Sequence, residues 1–219
     1  MNRLAIFDCD GTLVDSGANI CAAMTDCFER ARLDPPSADA TRRVVGLSLG
    51  EAIAALLPDA EPDLHRSLAE EYRQAFSRLR ASGAVHEPLF DGIAELLDSL
   101  DRDGWLLGVA TGKSDRGLRH CLERHGIHAR FVTLQTADRH PSKPHPSMIE
   151  AALADAGAAA GESMMIGDTS YDMIMAKAAG VAAVGVGWGY HDAPDLLAAG
   201  ADFVAAHPVD ISTFTRALA

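Results

Sequence analysis

The chain has 219 residues, of which 48% are hydrophobic, and this length allows one α/β core with a modest insertion. Acidic residues outnumber basic residues by 31 to 19, for a formal net charge of -12. This balance leaves no broad basic surface for nucleic-acid phosphates or anionic lipids, so we expect neither nucleic acid nor a membrane as a partner.

The N-terminal run and the cysteines favour a reducing, cytoplasmic setting. Asp8 interrupts the first apolar run too early for the apolar part of a signal peptide. The cysteines form no Cys-x-x-Cys pair and are too sparse for a disulfide framework. We therefore expect a cytoplasmic protein with reduced thiols.

Strand and helix patterns alternate along most of the chain. Short apolar runs, typical of buried parallel strands, lie at residues 4–7, 105–110, 163–166 and 182–186. Amphipathic segments that end before a glycine, a common helix C-terminus, predict helices at residues 91–103, 115–125, 146–156 and 171–179. The alternation predicts an α/β fold with a Rossmann-like, doubly wound parallel sheet, whose ligands bind at the C-terminal strand ends.

One stretch interrupts this alternation. Residues 17–83 contain helical patterns, including an N-cap at Ser37 and a long helix at 63–80, but no convincing strand. We predict an inserted helical cap over residues 17–83 that lies above the end of the first strand. The core would then consist of residues 1–16 and 84–219.

Two acids follow directly on the first strand. Asp8 and Asp10 are two residues apart, so in an extended segment their carboxylates share one side, and Gly11 allows a sharp turn beyond them. Taken alone, this pattern equally fits an Asx-rich turn after an edge strand.

Further polar groups follow the later strands in a set order. The four groups are Asp8-Cys9-Asp10-Gly11-Thr12, Thr111-Gly112, Lys143-Pro144-His145-Pro146 and Gly167-Asp168-Thr169-Ser170-Tyr171-Asp172. This ordered set resembles the four motifs of the haloacid dehalogenase superfamily, and the resemblance extends to about Tyr190. It implies the same α/β core with an inserted helical cap, and the order of the motifs makes it specific.

The resemblance implies a role for each catalytic residue. Asp8 would be the nucleophile and become an aspartyl phosphate. Asp10 would protonate the leaving oxygen and later deprotonate the attacking water. Thr111 and Gly112 would bind the phosphoryl oxygens, and Lys143 would supply a fixed positive charge. In isolation, Thr111 also fits an ordinary strand end and Lys143 a solvated loop cation.

The same resemblance implies a Mg²⁺ site. A phosphate dianion repels an attacking carboxylate, so a cation is needed to bring the two together, and oxygen ligands suit Mg²⁺. Asp8, Asp168 and the main-chain carbonyl of Asp10 would hold the ion. Asp172 would orient Lys143 or a metal-bound water, although an acid there also suits a helix N-terminus.

The predicted cap and Asp10 indicate which subgroup of the superfamily the chain resembles. A helical cap in this position resembles phosphoglycolate phosphatases, beta-phosphoglucomutases and two-carbon haloacid dehalogenases. The dehalogenases lack an acid at the Asp10 position, and the segment around Gly46 and Ser48 is more similar to the phosphoglycolate phosphatases. We expect a Mg²⁺-dependent phosphatase of small monoesters, phosphoglycolate among them. A mutase-like phosphotransferase is the alternative, and a dehalogenase the less favoured one.

Substrate recognition is located only roughly by the sequence. We expect a small phosphorylated metabolite as partner and a monomer or homodimer as the assembly. Arg42, Arg43 and Ser48 are candidates for contacting an anionic substrate tail. No role is assigned to three other residues near the motifs, which are His145, Trp188 and Tyr190.

Overall fold

The computed structural model describes residues 2–217. Within this range a single parallel sheet has the strand order β3-β2-β1-β4-β5-β6. Its strands are β1 (Asn2–Phe7), β2 (Trp105–Thr111), β3 (Phe131–Thr136), β4 (Ala158–Gly167), β5 (Ala182–Val186) and β6 (Phe203–Ala205). This order is that of a doubly wound Rossmann-like sheet, so the predicted fold class is confirmed.

Helices cover both faces of the sheet and form the cap. Those of the cap are α1 (Gly17–Arg30), α2 (Ala38–Arg43), α3 (Leu49–Leu56) and α4 (Pro62–Ala81). Those of the core are α5 (Ile93–Arg102), α6 (Asp115–Arg124), α7 (Ser147–Ala156), α8 (Ser170–Ala179), α9 (Ala193–Ala198) and α10 (Pro208–Ala217), with a 3₁₀ turn at His128–Arg130. None of the helices described between residues 2 and 217 is long and apolar enough to cross a bilayer.

The alternation of side chains along β1 divides the core into two layers. Ala5 and Phe7 pack into an apolar cluster with α5, α6 and α10, whereas Leu4 and Ile6 pack into a second cluster with α7, α8 and α9. All four side chains are fully buried. Burial on both faces explains why the sequence of β1 is a continuous apolar run.

The cap has an apolar cluster of its own. Its fully or largely buried members are Met24, Cys27, Phe28, Ile53, Leu68 and Ala69. They come from α1, α3 and α4, so these helices pack on each other rather than on the sheet. The cap boundaries at residues 17 and 83 stay a prediction, and helices α1–α4 all lie between them.

Two crossing segments connect the cap to the core. Asp15 N donates to Pro88 O (2.9 Å) and Phe90 N donates to Leu13 O (3.1 Å), and Val14 forms a bridge with Leu89. The outgoing and returning chains therefore run side by side just beyond β1. This pairing places the cap at the C-terminal end of the sheet, where a ligand is expected.

The sequence patterns miss two of the strands. Both β3 and β6 are edge strands. Thr133 and Gln135 interrupt the apolar pattern of β3, and β6 has only three residues. Thr133 and Gln135 are nevertheless buried, and both donate to Asp155 of α7, so hydrogen bonds take the place of apolar contacts in β3.

Candidate active site

Three adjacent strands end at one site. Asp8 follows β1, Thr111 ends β2, and Asp168 follows β4. Since the sheet order is β2-β1-β4, these ends are neighbours, and Asp8 N donates to Ile166 O across the gap (2.9 Å). Residues far apart in the sequence therefore meet at the carboxyl edge of the sheet.

A buried cluster of acids lies at this edge. Asp8, Asp168 and Asp172 are fully buried, and one carboxylate oxygen of each lies within 4.8 Å of the others. Lys143 Nζ lies 3.0 Å from Asp8 Oδ2 and 2.7 Å from Asp172 Oδ1. One buried ammonium thus faces three buried carboxylates.

Asp168 is held by short contacts on each oxygen. The Thr12 hydroxyl donates to Asp168 Oδ1 (2.8 Å), and the Tyr190 amide donates to Oδ2 (2.9 Å). Gly11 and Gly189 pack so closely on this carboxylate that a methyl group at either position would overlap it. The two glycines therefore allow the backbone to approach Asp168 from both sides.

Asp172 links the start of α8 to Lys143. It accepts from the Thr169 amide (3.1 Å) and hydroxyl (2.7 Å) through Oδ2, while its Oδ1 accepts from Lys143 (2.7 Å). This reciprocal capping of the helix fixes the carboxylate. Asp172 is thus placed to orient Lys143.

Burial shifts the ionisation of these groups. It raises the pKa of Asp8 to about 6, although Lys143 acts in the opposite direction. Burial, and then the negative charge of Asp8, raise the pKa of Asp168 well above its ordinary value. For Lys143, burial alone would lower the pKa, but Asp172 and Asp8 outweigh it and raise the pKa. The carboxylates carry more negative charge than Lys143 can balance.

The donor set fits a hard divalent cation. Asp8 Oδ2 is buried and forms an ion pair with Lys143 Nζ, but it accepts no hydrogen bond among the described residues. A buried carboxylate oxygen with unused acceptor capacity is available to a further cation. The neighbouring acceptors are all oxygens, as Mg²⁺ prefers. Asp8 and Asp168 could hold the ion, while Asp172 pairs with Lys143 through Oδ1 and caps α8 through Oδ2.

The Asp10 carboxylate takes part in a different contact. Lys113 Nζ lies 2.6 Å from Asp10 Oδ1 and 3.0 Å from Glu87 Oε1, and all three side chains are largely buried. The sequence analysis assigned no role to Lys113 or Glu87. A cation directly after Thr111 and Gly112 was a usable signal for Lys113, whereas Glu87 lies in the returning connection and carries none.

A cavity of ≈ 570 Å³ lies between core and cap. Asp8, Asp10, Thr111 and Gly112 line its core side. The cap loop closes tightly on Gly112, because a methyl group there would lie 2.6 Å from the Gly46 carbonyl oxygen. The catalytic groups predicted at the strand ends therefore share one cavity with the cap.

The cap candidates divide into two groups. Ser48 lines the cavity, and its amide donates to the Ser142 hydroxyl in the loop that carries Lys143 (2.7 Å). Arg42 and Arg43, the other two candidates, are not among the residues that line it, and their contact with substrate stays a prediction. They lie on the cap surface, with side chains 47% and 69% exposed that pair with Asp39 and Asp195.

The remaining residues near the motifs have structural contacts. The Trp188 indole donates to the Thr12 carbonyl (3.1 Å), and the Tyr190 hydroxyl lies 3.2 Å from that of Ser16. Both support the loop that holds Asp168. His145 Nδ1 accepts from the Ser147 amide (3.2 Å) at the start of α7, outside the cavity.

The comparison with known proteins agrees with this geometry. Residues 5–186 match the family of haloacid dehalogenase-like hydrolases. The chain belongs to this family. Its predicted membership and the expectation of a phosphatase-type hydrolase are confirmed.

Several known proteins are similar to this chain over nearly its whole length. Probable phosphatase IndB of Dickeya dadantii is 36% identical over 91% of this chain and 87% of its own length. A phosphoglycolate phosphatase of Vibrio parahaemolyticus is 30% identical over 93% of this chain and 91% of its own. A solved haloacid dehalogenase-like hydrolase from Streptococcus pneumoniae is 27% identical, with a TM-score of 0.84 over 97% of this chain and 98% of its own.

The raised pKa of Asp168 predicts that this residue destabilises the metal-free protein. When a carboxyl group has a higher pKa in the folded than in the unfolded protein, the protein becomes less stable as the pH rises above the ordinary pKa of that group. Asp168→Asn should therefore raise the melting temperature of the metal-free protein at pH 7.5, by about 2–4 °C for each kcal/mol gained in the free energy of unfolding. The increase should be smaller at pH 5. Mg²⁺ should raise the melting temperature of the wild type but not of the variant.

Thermal melts with and without EDTA measure both effects. Asp39→Asn is the matched control, because Asp39 is exposed on the cap and should produce neither change. A variant that is less stable than the wild type without metal at pH 7.5, or that Mg²⁺ still stabilises equally, would contradict the charge imbalance.

The close packing of Gly112 under the cap loop gives a second prediction. In Gly112→Ala the added methyl group would meet the carbonyl oxygens of Gly46 and Leu47 and displace the loop from the cavity. A displacement of about 1 Å can cost roughly 100-fold in rate, so steady-state kinetics should show kcat/KM reduced by about 10- to 100-fold. Gly161→Ala, where a methyl group meets nothing within 4 Å, should keep the wild-type kcat/KM. Equal kinetics for the two variants would show that the loop contact is unimportant.

Proposed function

We propose that this chain is a Mg²⁺-dependent phosphatase that hydrolyses small phosphate monoesters through an aspartyl phosphate on Asp8. The observation that carries the proposal is the buried Asp8 Oδ2, which pairs with Lys143 Nζ and accepts no hydrogen bond, on a residue that lines the cavity. The phosphatase names of the relatives support the same reaction class. The substrate would be a small phosphorylated metabolite of the cytoplasm. The enzyme would act as a monomer or homodimer.

The buried acids would hold Mg²⁺ through Asp8, Asp168 and the main-chain carbonyl of Asp10. Bound Mg²⁺ would offset the negative charge of the phosphoryl group and allow it to approach a carboxylate. Thr111 and the Gly112 amide would hold phosphoryl oxygens, while Lys143 balances the charge from the buried side.

The proposed reaction has two displacements at phosphorus. First, an Asp8 carboxylate oxygen bonds to phosphorus and the ester P–O bond breaks, while the Asp10 carboxyl group gives its proton to the leaving oxygen. Then a water molecule gives a proton to the Asp10 carboxylate and bonds to phosphorus. The bond to Asp8 breaks, which releases inorganic phosphate and restores both acids.

Two types of reaction are compatible with this cavity, hydrolysis of a small phosphate monoester and phosphoryl transfer to a sugar phosphate. The 30% identity with a phosphoglycolate phosphatase makes a phosphoglycolate-like substrate one candidate. Transfer to a second sugar phosphate, as in a mutase, differs in that no inorganic phosphate is released. A phosphate-release assay over small phosphorylated metabolites therefore tests the hydrolase reading directly.

The two acids of the first motif give distinct predictions. Asp8→Asn removes the nucleophile, so both turnover and covalent labelling should disappear. Asp10→Asn loses the proton donor and acceptor, so alkyl phosphates should lose about 10²- to 10⁴-fold in kcat. p-Nitrophenyl phosphate has a good leaving group and should still phosphorylate Asp8, and the adduct should accumulate because no base activates water.

Mass spectrometry of acid-quenched Asp10→Asn protein measures this adduct. Asp15→Asn is the control, since Asp15 lies near these acids in the sequence but outside the cavity lining, and should show wild-type turnover without a stable adduct. Phosphate found on Asp10, or equal losses for alkyl and aryl substrates without any adduct, would show that the roles are assigned wrongly.

A further inference from the structure

The long cap helix α4 turns one side towards the cavity. Its cavity-lining residues follow helical spacing and are Tyr72, Arg73, Phe76, Ser77 and Arg80. They belong to the same cavity as Asp8 and Asp10 on the core side. A leaving group attached to a phosphate at Asp8 therefore extends towards α4.

Two aromatic rings form the middle of this side. The Tyr72 and Phe76 ring centroids are 6.1 Å apart, with an interplanar angle of 39°. The Tyr72 hydroxyl has no hydrogen-bond partner among residues 2–217. Tyr72 and Asp10 line the same cavity, and the pKa of Tyr72 is raised by burial and then by the negative charge of Asp10.

Arg80 differs from the other arginines of this part of α4. Arg73 pairs with Glu70, and Arg78 pairs with both Asp26 and Glu71. The Arg80 guanidinium instead lies over the Phe76 ring, 5.5 Å from its centroid, and within the described residues it has no acidic partner. Its Nε is buried without an acceptor.

The chemistry of this surface suits a flat group. Aromatic faces and the planar guanidinium group both stack on planar partners, and such contacts favour flat rings over puckered ones. Met24 and Leu49 extend the apolar wall beside the rings. A two-carbon acid such as glycolate would occupy only the phosphate end of a ≈ 570 Å³ cavity and leave this wall uncovered.

We propose that the Tyr72–Phe76–Arg80 face of α4 is the leaving-group recognition site, and that it selects phosphate monoesters whose leaving group carries a planar unsaturated ring. This inference rests on the proposed phosphatase function. It assigns the choice of substrate to α4, while the hydrolytic groups of the core act on any phosphoryl group placed at Asp8.

A matched pair of substrates isolates planarity. Benzyl phosphate and cyclohexylmethyl phosphate have similar size and both release an alkoxide, but only the first has a flat ring. The wild type should hydrolyse benzyl phosphate with a kcat/KM about 5-fold higher, in line with the energies of aromatic contacts, and should also prefer it to phosphoglycolate. Acetyl phosphate, whose leaving group is too small to reach α4, reports on the hydrolytic groups alone.

Variants of the face should remove the preference without affecting the chemistry. Phe76→Leu should reduce the benzyl to cyclohexylmethyl ratio to about 1, and Arg80→Lys, which keeps the charge but not the plane, should reduce it about 3-fold. Both should keep wild-type turnover of acetyl phosphate. Arg66→Lys is the control on the same helix, since Arg66 is exposed, pairs with Asp63 and should leave the ratio unchanged.

The outcomes separate this inference from the proposed function. If acetyl phosphate and the esters release no phosphate with Mg²⁺, the phosphatase proposal fails. If all are hydrolysed but phosphoglycolate is preferred, or if Phe76→Leu keeps the wild-type ratio while turning over acetyl phosphate normally, the α4 face is not the selector. A variant that has lost acetyl phosphate turnover is replaced by Phe76→Met, which fills the site without a ring and to which the same criterion applies.

Discussion

The buried excess of negative charge is the constraint on which the rest of the site depends. Asp8, Asp168 and Asp172 are removed from water, and within residues 2–217 the one cation that pairs with any of them is Lys143. Burying carboxylates in this way is unfavourable, and the raised pKa values of Asp8 and Asp168 are its signature. In the proposed function, a divalent cation would turn this unfavourable arrangement into a binding site, and its charge would attract a phosphate dianion that the carboxylates alone would repel.

The proposed function assigns the chemistry and the choice of substrate to different parts of the fold. The sheet order brings the ends of β1, β2 and β4 together, so the reacting groups stand on rigid strands at one edge. The paired crossing segments beyond β1 hold the cap over that edge, and α4 lines the opposite side of the cavity. Changing the cap helix can therefore change the leaving group while Asp8 and its neighbours stay in place.

The sequence predicts the strand-end chemistry better than the cap. Asp8, Thr111 and Asp168 each follow a buried strand, where a local apolar pattern marks the position, and parallel topology brings such ends together. Arg42 and Arg43, two candidates for substrate contact, lie on the surface, because the inward side of a helix depends on how the cap helices pack. For the same reason the sequence did not reveal the α4 face or the contact of Glu87 with Lys113. Both depend on contacts between segments that are distant in the sequence. The edge strands β3 and β6 were missed because they lack a continuous apolar run.

The most direct test of the central claim is calorimetry of Mg²⁺ binding to the metal-free protein at pH 6. With the pKa of Asp8 at about 6 and that of Asp168 also raised by burial, part of the population carries protons that the metal must displace. The observed heat should therefore differ between two buffers of unequal ionisation enthalpy, and the difference should shrink at pH 8.5, where Asp8 is already ionised. Binding without proton release at pH 6, or no binding at either pH, would contradict a cation site built on these buried acids.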